Sequence, residues 1–323
     1  MNKPIPPAKF HNIRPPNNNY TYFEDRLSHA FLPLATTFER VNAGWMADFA
    51  MLAYGDKSFI RKKFDDSGLT ADGFVMEYFS RDTTQCFVAH NNKFVVVSLR
   101  GTEIDNFWGA FTDWRRNLEL KPVPDDSGGL VHEGFIKDMA AVWNDSNGVK
   151  GLKSYLQPLL AGGTRTLWIT GHSLGAGLAT LAAERAARDA GFDVRGVYTF
   201  GSPRVGDVQF KQNYEARGLS DKTYRVIYDI DVVQKIPPGH VYVHVGQFEF
   251  IDAHGHLHEN APVSSSEDGG LPEPTGAQQL AVRLHHLLGK GSAVLANTLG
   301  LTIPAPFADH APIYYASYIW NNN

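Results

Sequence analysis

The sequence predicts an α/β fold, with a mostly parallel central sheet flanked by helices, and three observations carry that prediction. Short apolar runs alternate with stretches of helical periodicity from about residue 40 onward. One of those runs, Phe94-Val95-Val96-Val97-Ser98-Leu99, has an unbroken apolar core, as a central strand buried on both faces requires. Finally, Thr166-Leu167-Trp168-Ile169-Thr170 leads through Gly171-His172-Ser173-Leu174-Gly175 into an alanine-rich helix, Ala176 to about Ala190. A strand that turns so sharply into a helix is typical of parallel α/β units.

In chain order, residues 1 to about 35 are polar and proline-rich and are expected to wrap the surface. Val41, Trp45, Phe49 and Leu52 follow at helical spacing, ending near Gly55. Gly73 to Tyr78 reads as a strand, and Thr84 to Leu99 as a hairpin turning at Asn91-Asn92. Phe107, Trp108, Phe111 and Trp114 fall at helical spacing in the next stretch. A polar loop, Pro122 to Gly129, then leads to Val131-His132-Glu133-Gly134-Phe135 and a helix through about Trp143. Beyond the serine turn come strands at Gly196 to Phe200 and Thr223 to Tyr228. The runs Val241 to Val245 and Phe248 to Ile251 are expected to form an antiparallel pair about Gly246-Gln247. Residues 253–276 read as a loop, with helices expected at about 278–288 and 293–299. An aromatic helix with Tyr314, Tyr315, Tyr318 and Trp320 closes the chain.

Composition narrows the function classes. The 323 residues are 43% hydrophobic, enough to bury one large core, and the net charge of −4 comes without any basic stripe, so nucleic acid is not an expected partner. The single cysteine, Cys86, excludes an internal disulfide and reads as a buried thiol. No apolar amino-terminal region marks a signal peptide, and no run is long enough for a transmembrane helix. The expected location is therefore cytoplasmic, or outside the cell by a signal-independent route.

A G-x-S-x-G sequence between strand and helix has the context of a nucleophile elbow, which presents a serine hydroxyl at the carboxyl end of a sheet. That hydroxyl needs a base, and the base an orienting acid, in the chain order serine, acid, histidine for α/β-hydrolases. Asp229 and Asp231 both follow the strand ending at Tyr228, and either can serve as the acid. Candidate bases are His240, His244, His254, His256, His258, His285, His286 and His310; His310 stands out because its short loop precedes the final helix. Oxyanion donors are expected at Leu174, which follows the serine, and at Thr102, just past the central strand. The spacing Asp252-Ala253-His254-Gly255-His256-Leu257-His258 is compatible with a metal, but polar loops produce such patterns often, and no metal or cofactor is expected.

These residues resemble the class 3 lipase family, the α/β-hydrolases that include the filamentous-fungal lipases. The matching pieces are Val96 to Thr102, Asp113-Trp114, Val131 to Phe135, Gly171 to Gly175, Tyr198 to Gly206, Asp231-Val232-Val233 before Ile236-Pro237-Pro238, and Asp309-His310, all in family order. The resemblance implies Ser173 as nucleophile, Asp231 rather than Asp229 as acid, His310 as base, and Thr102 and Leu174 as oxyanion donors. It also implies a helical lid, whose Phe107, Trp108 and Phe111 would cover an apolar acyl pocket and meet substrate. Unlike the secreted, disulfide-bonded fungal members, this chain has one cysteine, and Asn117 stands where an aspartate is common.

The expected protein is thus a proline-rich extension (1–35) on a single α/β-hydrolase domain (36–323), acting on lipid esters, with a lipid–water interface as a candidate place of action. Triacylglycerol lipase is the expected activity. A phospholipase A1, a short-chain carboxylesterase or an inactive interaction protein of the same fold are the alternatives.

Overall fold

The computed structural model describes residues 2–101, 121–237, 239–262, 303 and 305–323. Its elements run α1 (Phe10–Ile13), α2 (Arg40–Leu52), α3 (Lys57–Asp66), β1 (Val75–Arg81), β2 (Thr84–His90), β3 (Phe94–Leu99), β4 (Pro122–Pro124) and β5 (Leu130–His132). There follow α4 (Glu133–Trp143), α5 (Leu152–Leu160), β6 (Thr166–His172), α6 (Leu174–Asp189), β7 (Val194–Phe200), α7 (Val208–Ala216) and β8 (Thr223–Tyr228). The last are β9 (Gln247–Ile251), β10 (Leu257–His258), α8 (Ala305–Ala308) and α9 (Pro312–Asn321). Thr102, Phe107, Trp108, Phe111, Trp114 and Asn117 lie outside the described residues, as do the helices expected at 278–288 and 293–299.

The main sheet, among the described residues, has the order β1-β2-β3-β6-β7-β8-β9-β10. From β3 to β9 neighbours are parallel, and β1, β2 and β10 add antiparallel edges. Alternation along each strand divides the core in two. On β3, Phe94 and Val96 face one layer, while Val95, Val97 and Leu99 face the other. The first layer holds α2 and α9, which approach closely enough that a Cβ on Gly44 would lie 2.9 Å from the Trp320 ring. The second holds α4, α5 and α6. The hydroxyls of Ser98 and Thr170, buried against α2, donate to the carbonyls of Phe49 (2.9 Å) and Met46 (3.1 Å), so neither is an orphan. This is the α/β-hydrolase arrangement that the sequence predicts.

Two expectations change. The proline-rich start does more than wrap the surface: Tyr20, Tyr22, Phe23 and Phe31 enter the core, and Phe31 stacks on Phe94 at 4.4 Å between centroids. The buried Asp48 of α2 holds this strap, accepting from the Tyr20 hydroxyl at 2.7 Å and the Phe23 N–H at 2.6 Å. Aromatics set among polar residues without a period conceal such insertion. The second change concerns residues 241–251. Val241 to Val245 forms no strand; Val243 bridges Gly206 instead, and β9 pairs parallel with β8 and antiparallel with β10. Gly246, at φ 83°, brings the chain alongside Thr223 rather than reversing it into a hairpin. Cys86 is buried and free, and burial pushes its thiol well above the ordinary range.

Candidate active site

Because β3, β6, β7 and β8 are parallel, their carboxyl ends meet at one edge, where open α/β sheets place their sites. At that edge β6 runs into α6 through Ser173, whose backbone takes φ 60° and ψ −130°. A non-glycine residue held there costs of order 1–3 kcal/mol and persists only where the surroundings fix it. The fixing is visible. The Ser173 N–H donates to the Phe200 carbonyl (3.0 Å), and its own carbonyl accepts from Ala176 at 2.9 Å. The flanking glycines permit close approach: a Cβ on Gly171 would strike the Gly175 carbonyl, and one on Gly175 the Leu99 carbonyl. Leu174 opens α6, an alanine-rich helix whose N-terminus points partial positive charge at the elbow.

The candidate acids follow the carboxyl end of β8. Asp231 is fully buried, and its Oδ1 accepts from the Val233 N–H at 2.8 Å. Its Oδ2 accepts from His310 Nδ1 at 2.8 Å and from the Tyr315 hydroxyl, which in turn accepts from the Tyr228 N–H. Of the two aspartates left open by position alone, Asp231 is therefore the one that meets His310. Asp229 lies at the turn with φ 40°, and its carboxyl is pushed up by partial burial and by Asp252. Arg204, buried just past β7, steadies the loop after Asp231 by donating to the carbonyls of Lys235 and Pro237, each at 2.8 Å.

His310 is buried and sits between α8 and α9. Gly201, at the end of β7, touches both members of the pair: a Cβ there would lie 2.6 Å from Asp231 Oδ2 and 2.8 Å from His310 Nδ1. Since the Phe200 carbonyl holds the Ser173 N–H, two adjacent residues at the end of β7 touch the serine backbone and the Asp231–His310 pair. Protonation of His310 would place an imidazolium directly against a buried carboxylate. That is the arrangement by which a base that has taken a hydroxyl proton is stabilised.

His244 and the histidines of 254–258 make different contacts, and His285 and His286 lie outside the described residues. His244 Nε2 donates to the Gln234 carbonyl at 2.8 Å, and burial holds its ring well below the usual range. His258 donates to Asp252 at 2.9 Å, and that bond, with further donation from the His256 and His254 N–H groups, keeps the Asp252 carboxyl well below the usual range. Among the described residues no group of three or more His, Cys, Asp or Glu is arranged to hold a metal ion. Tyr315 and Tyr54, and the part the His172 ring plays, escape a sequence reading; nothing in the spacing of either tyrosine marks it.

Comparison with known proteins fits this geometry. Residues 96–241 match the class 3 lipase family. A phospholipase A1-II 6 of Oryza sativa subsp. japonica is 30% identical over 203 residues, which are 54% of this chain and 48% of that protein. A secreted mono- and diacylglycerol lipase 1 of Fusarium solani is 33% identical over 156 residues, 47% of this chain and 42% of that protein. The chain thus spans about half the length of these relatives. Among solved structures, a Rhizomucor miehei lipase–propeptide complex shares the fold with a TM-score of 0.57 at 22% identity, covering 72% of this chain and 75% of that one.

Proposed function

We propose, from the match of residues 96–241 to the class 3 lipase family, that the chain is a serine hydrolase of lipid carboxylic esters. The observation that carries the reading is the buried Asp231–His310 bond of 2.8 Å, set beside the strained Ser173 turn by β7. In the proposed reaction His310 takes the Ser173 proton as the hydroxyl oxygen attacks the ester carbonyl. Asp231 holds the Nδ1–H tautomer and stabilises the imidazolium. The Leu174 N–H, with Thr102 as partner, receives the oxyanion, each such donor being worth about 2.7–4 kcal/mol. The alcohol leaves with the proton from His310, and water attacks the acyl-serine by the reverse sequence. The chemistry requires no cofactor.

Triacylglycerol is the proposed substrate class, and the Phe107, Trp108 and Phe111 stretch the proposed lid. A second reading, phospholipase A1, is favoured by the rice relative. A fluorophosphonate probe tests the hydrolase reading: wild type should label and Ser173→Ala should not, and a folded wild type that resists the probe rejects it. A chain-length series of p-nitrophenyl esters, beside emulsified triacylglycerol and phosphatidylcholine, then separates the substrates. Activity confined to soluble short esters refutes the lipase assignment, and preference for phosphatidylcholine selects the second reading.

A further inference from the structure

His172 is the last residue of β6 and the immediate neighbour of Ser173. By strand alternation it faces the same side as Trp168 and Thr170, toward α2 and α9. There its ring is fully committed. Nε2 lies 2.7 Å from the backbone carbonyl of His310, and Nδ1 lies 2.8 Å from the Tyr54 hydroxyl, just past the end of α2. A carbonyl can only accept, so Nε2 carries the proton, and the bare Nδ1 accepts from the tyrosine. The ring also packs against the His310 imidazole, with centroids 4.5 Å apart and planes at 33°. Burial, then the nearby His310, holds His172 well below the ordinary histidine range, so it stays a neutral strut.

The turn that carries His310 is also held by the His310–Asp231 bond, by the Asp309 and Ala311 N–H groups on the Ala305 and Ala308 carbonyls, and by a backbone bond from Ile230 to Asp309, but none of these ties it to the serine elbow. Ala311 caps α9 without a side-chain bond, and Pro312 follows it with no N–H to give. We propose that His172, braced by Tyr54, is a positioning residue that fixes the His310 turn relative to the serine elbow. Nucleophile and base are then referenced to each other through one side chain, on the residue next to the nucleophile. The proposal rests on the reading of Ser173 and His310 as nucleophile and base. Tyr54 extends the reference to the β3 end, because a Cβ on Gly101 would strike its hydroxyl and would lie 2.6 Å from the His172 carbonyl.

The test compares wild type with His172→Phe, His172→Gln and Tyr54→Phe. For each, the rate of fluorophosphonate labelling, kcat and KM on a p-nitrophenyl ester, and the thermal melting point are measured. Phe fills the ring volume without bonds, whereas the Gln amide can still donate to the His310 carbonyl. His172→Phe should lose about 10–100-fold in labelling rate and kcat, with KM within about twofold, as expected for misplacement of the reacting groups by a fraction of an ångström. His172→Gln should recover most of that loss, and Tyr54→Phe should show a smaller one. Wild-type rates in folded His172→Phe overturn the proposal, as do equal losses in Phe and Gln that follow only their melting points. Should His172→Phe fail to fold, Tyr54→Phe decides: an unchanged labelling rate refutes the brace. A wild type that neither labels nor turns over ester fails the hydrolase reading itself, a result distinct from all of these.

Discussion

Replacing Gly201 with alanine tests the site by adding a single methyl group. The residue sits at φ 56°, and the added Cβ would lie 2.6 Å from Asp231 Oδ2, 2.8 Å from His310 Nδ1 and 2.9 Å from His310 Cε1. Two costs follow, and they can be separated. Placing an alanine in the left-handed region costs about 1–2 kcal/mol wherever it occurs. The second cost is local: ordinary contact begins near 3.4 Å, so the methyl is about 0.8 Å too close to the carboxylate. The Asp231–His310 bond, now 2.8 Å, must open or tilt to admit it. Displacing a catalytic group by nearly 1 Å costs about 10²-fold in rate, or roughly 2.7 kcal/mol. Gly191 supplies the control, having φ 63° and nothing within 4 Å of its would-be Cβ. Gly191→Ala should lower the melting point and leave kcat alone, whereas Gly201→Ala should lower both. The measurements are kcat on a soluble p-nitrophenyl ester and a thermal melt for each variant. A folded Gly201→Ala with kcat within about twofold of wild type refutes the reasoning, as does an equal loss of kcat in Gly191→Ala.

Three further outcomes are expected. Ser173→Ala should abolish ester turnover while its melting point stays at or above that of wild type, since it keeps the elbow and removes one buried hydroxyl; residual turnover near the wild-type rate would exclude Ser173 as nucleophile. Asp231→Asn should lower kcat by about 10⁴-fold, because an amide cannot stabilise the imidazolium, whereas Asp229→Asn should retain activity; the opposite ranking would transfer the acid role. Burial, with the Asp229 and Asp231 carboxylates nearby, pushes Asp309 up to about 7, so the folded state keeps this proton to higher pH than the unfolded chain does. Its contribution to stability is full below the ordinary aspartate range and is lost as pH rises through about 7. Asp309→Asn should therefore gain in melting point relative to wild type between pH 5 and pH 8, and an offset independent of pH would refute the assignment.

What the sequence made legible follows from how strongly each feature is written locally. The unbroken apolar β3 and the strand–serine–helix stretch announce themselves because every residue agrees on one environment. Residues 241–251 mislead because two apolar runs about a glycine satisfy the hairpin pattern equally well. Only the exposed parallel edge of β8 decides where the second run pairs, and no local signal reports that edge. The strap fails for another reason: Tyr20, Tyr22, Phe23 and Phe31 have no period because each meets a different partner, Asp48, Phe59, Phe49 and Phe94 respectively. Position alone left Asp229 and Asp231 equal. They differ in what faces them, and that depends on α9, whose start lies some 80 residues farther along the chain.

That dependence also explains why the supports of the site were invisible while its principals were not. Serine, aspartate and histidine are chemical necessities, so their types can be sought in order along a chain. Tyr315 and Tyr54 hold Asp231 and His172 only because α9 and α2 pack on the same face of the sheet. This helix pair is itself tied down by the strap. Asp48 on α2 receives Tyr20 and Phe23, while the backbone of Lys3 exchanges hydrogen bonds with the Asn321 side chain at the end of α9. The amino-terminal residues are therefore linked to the site through α2 and α9. They fix α9, which carries Tyr315, and α2, which leads into Tyr54, so on the proposed roles of Asp231 and His310 truncation of the strap would be felt as a loss of alignment at His310.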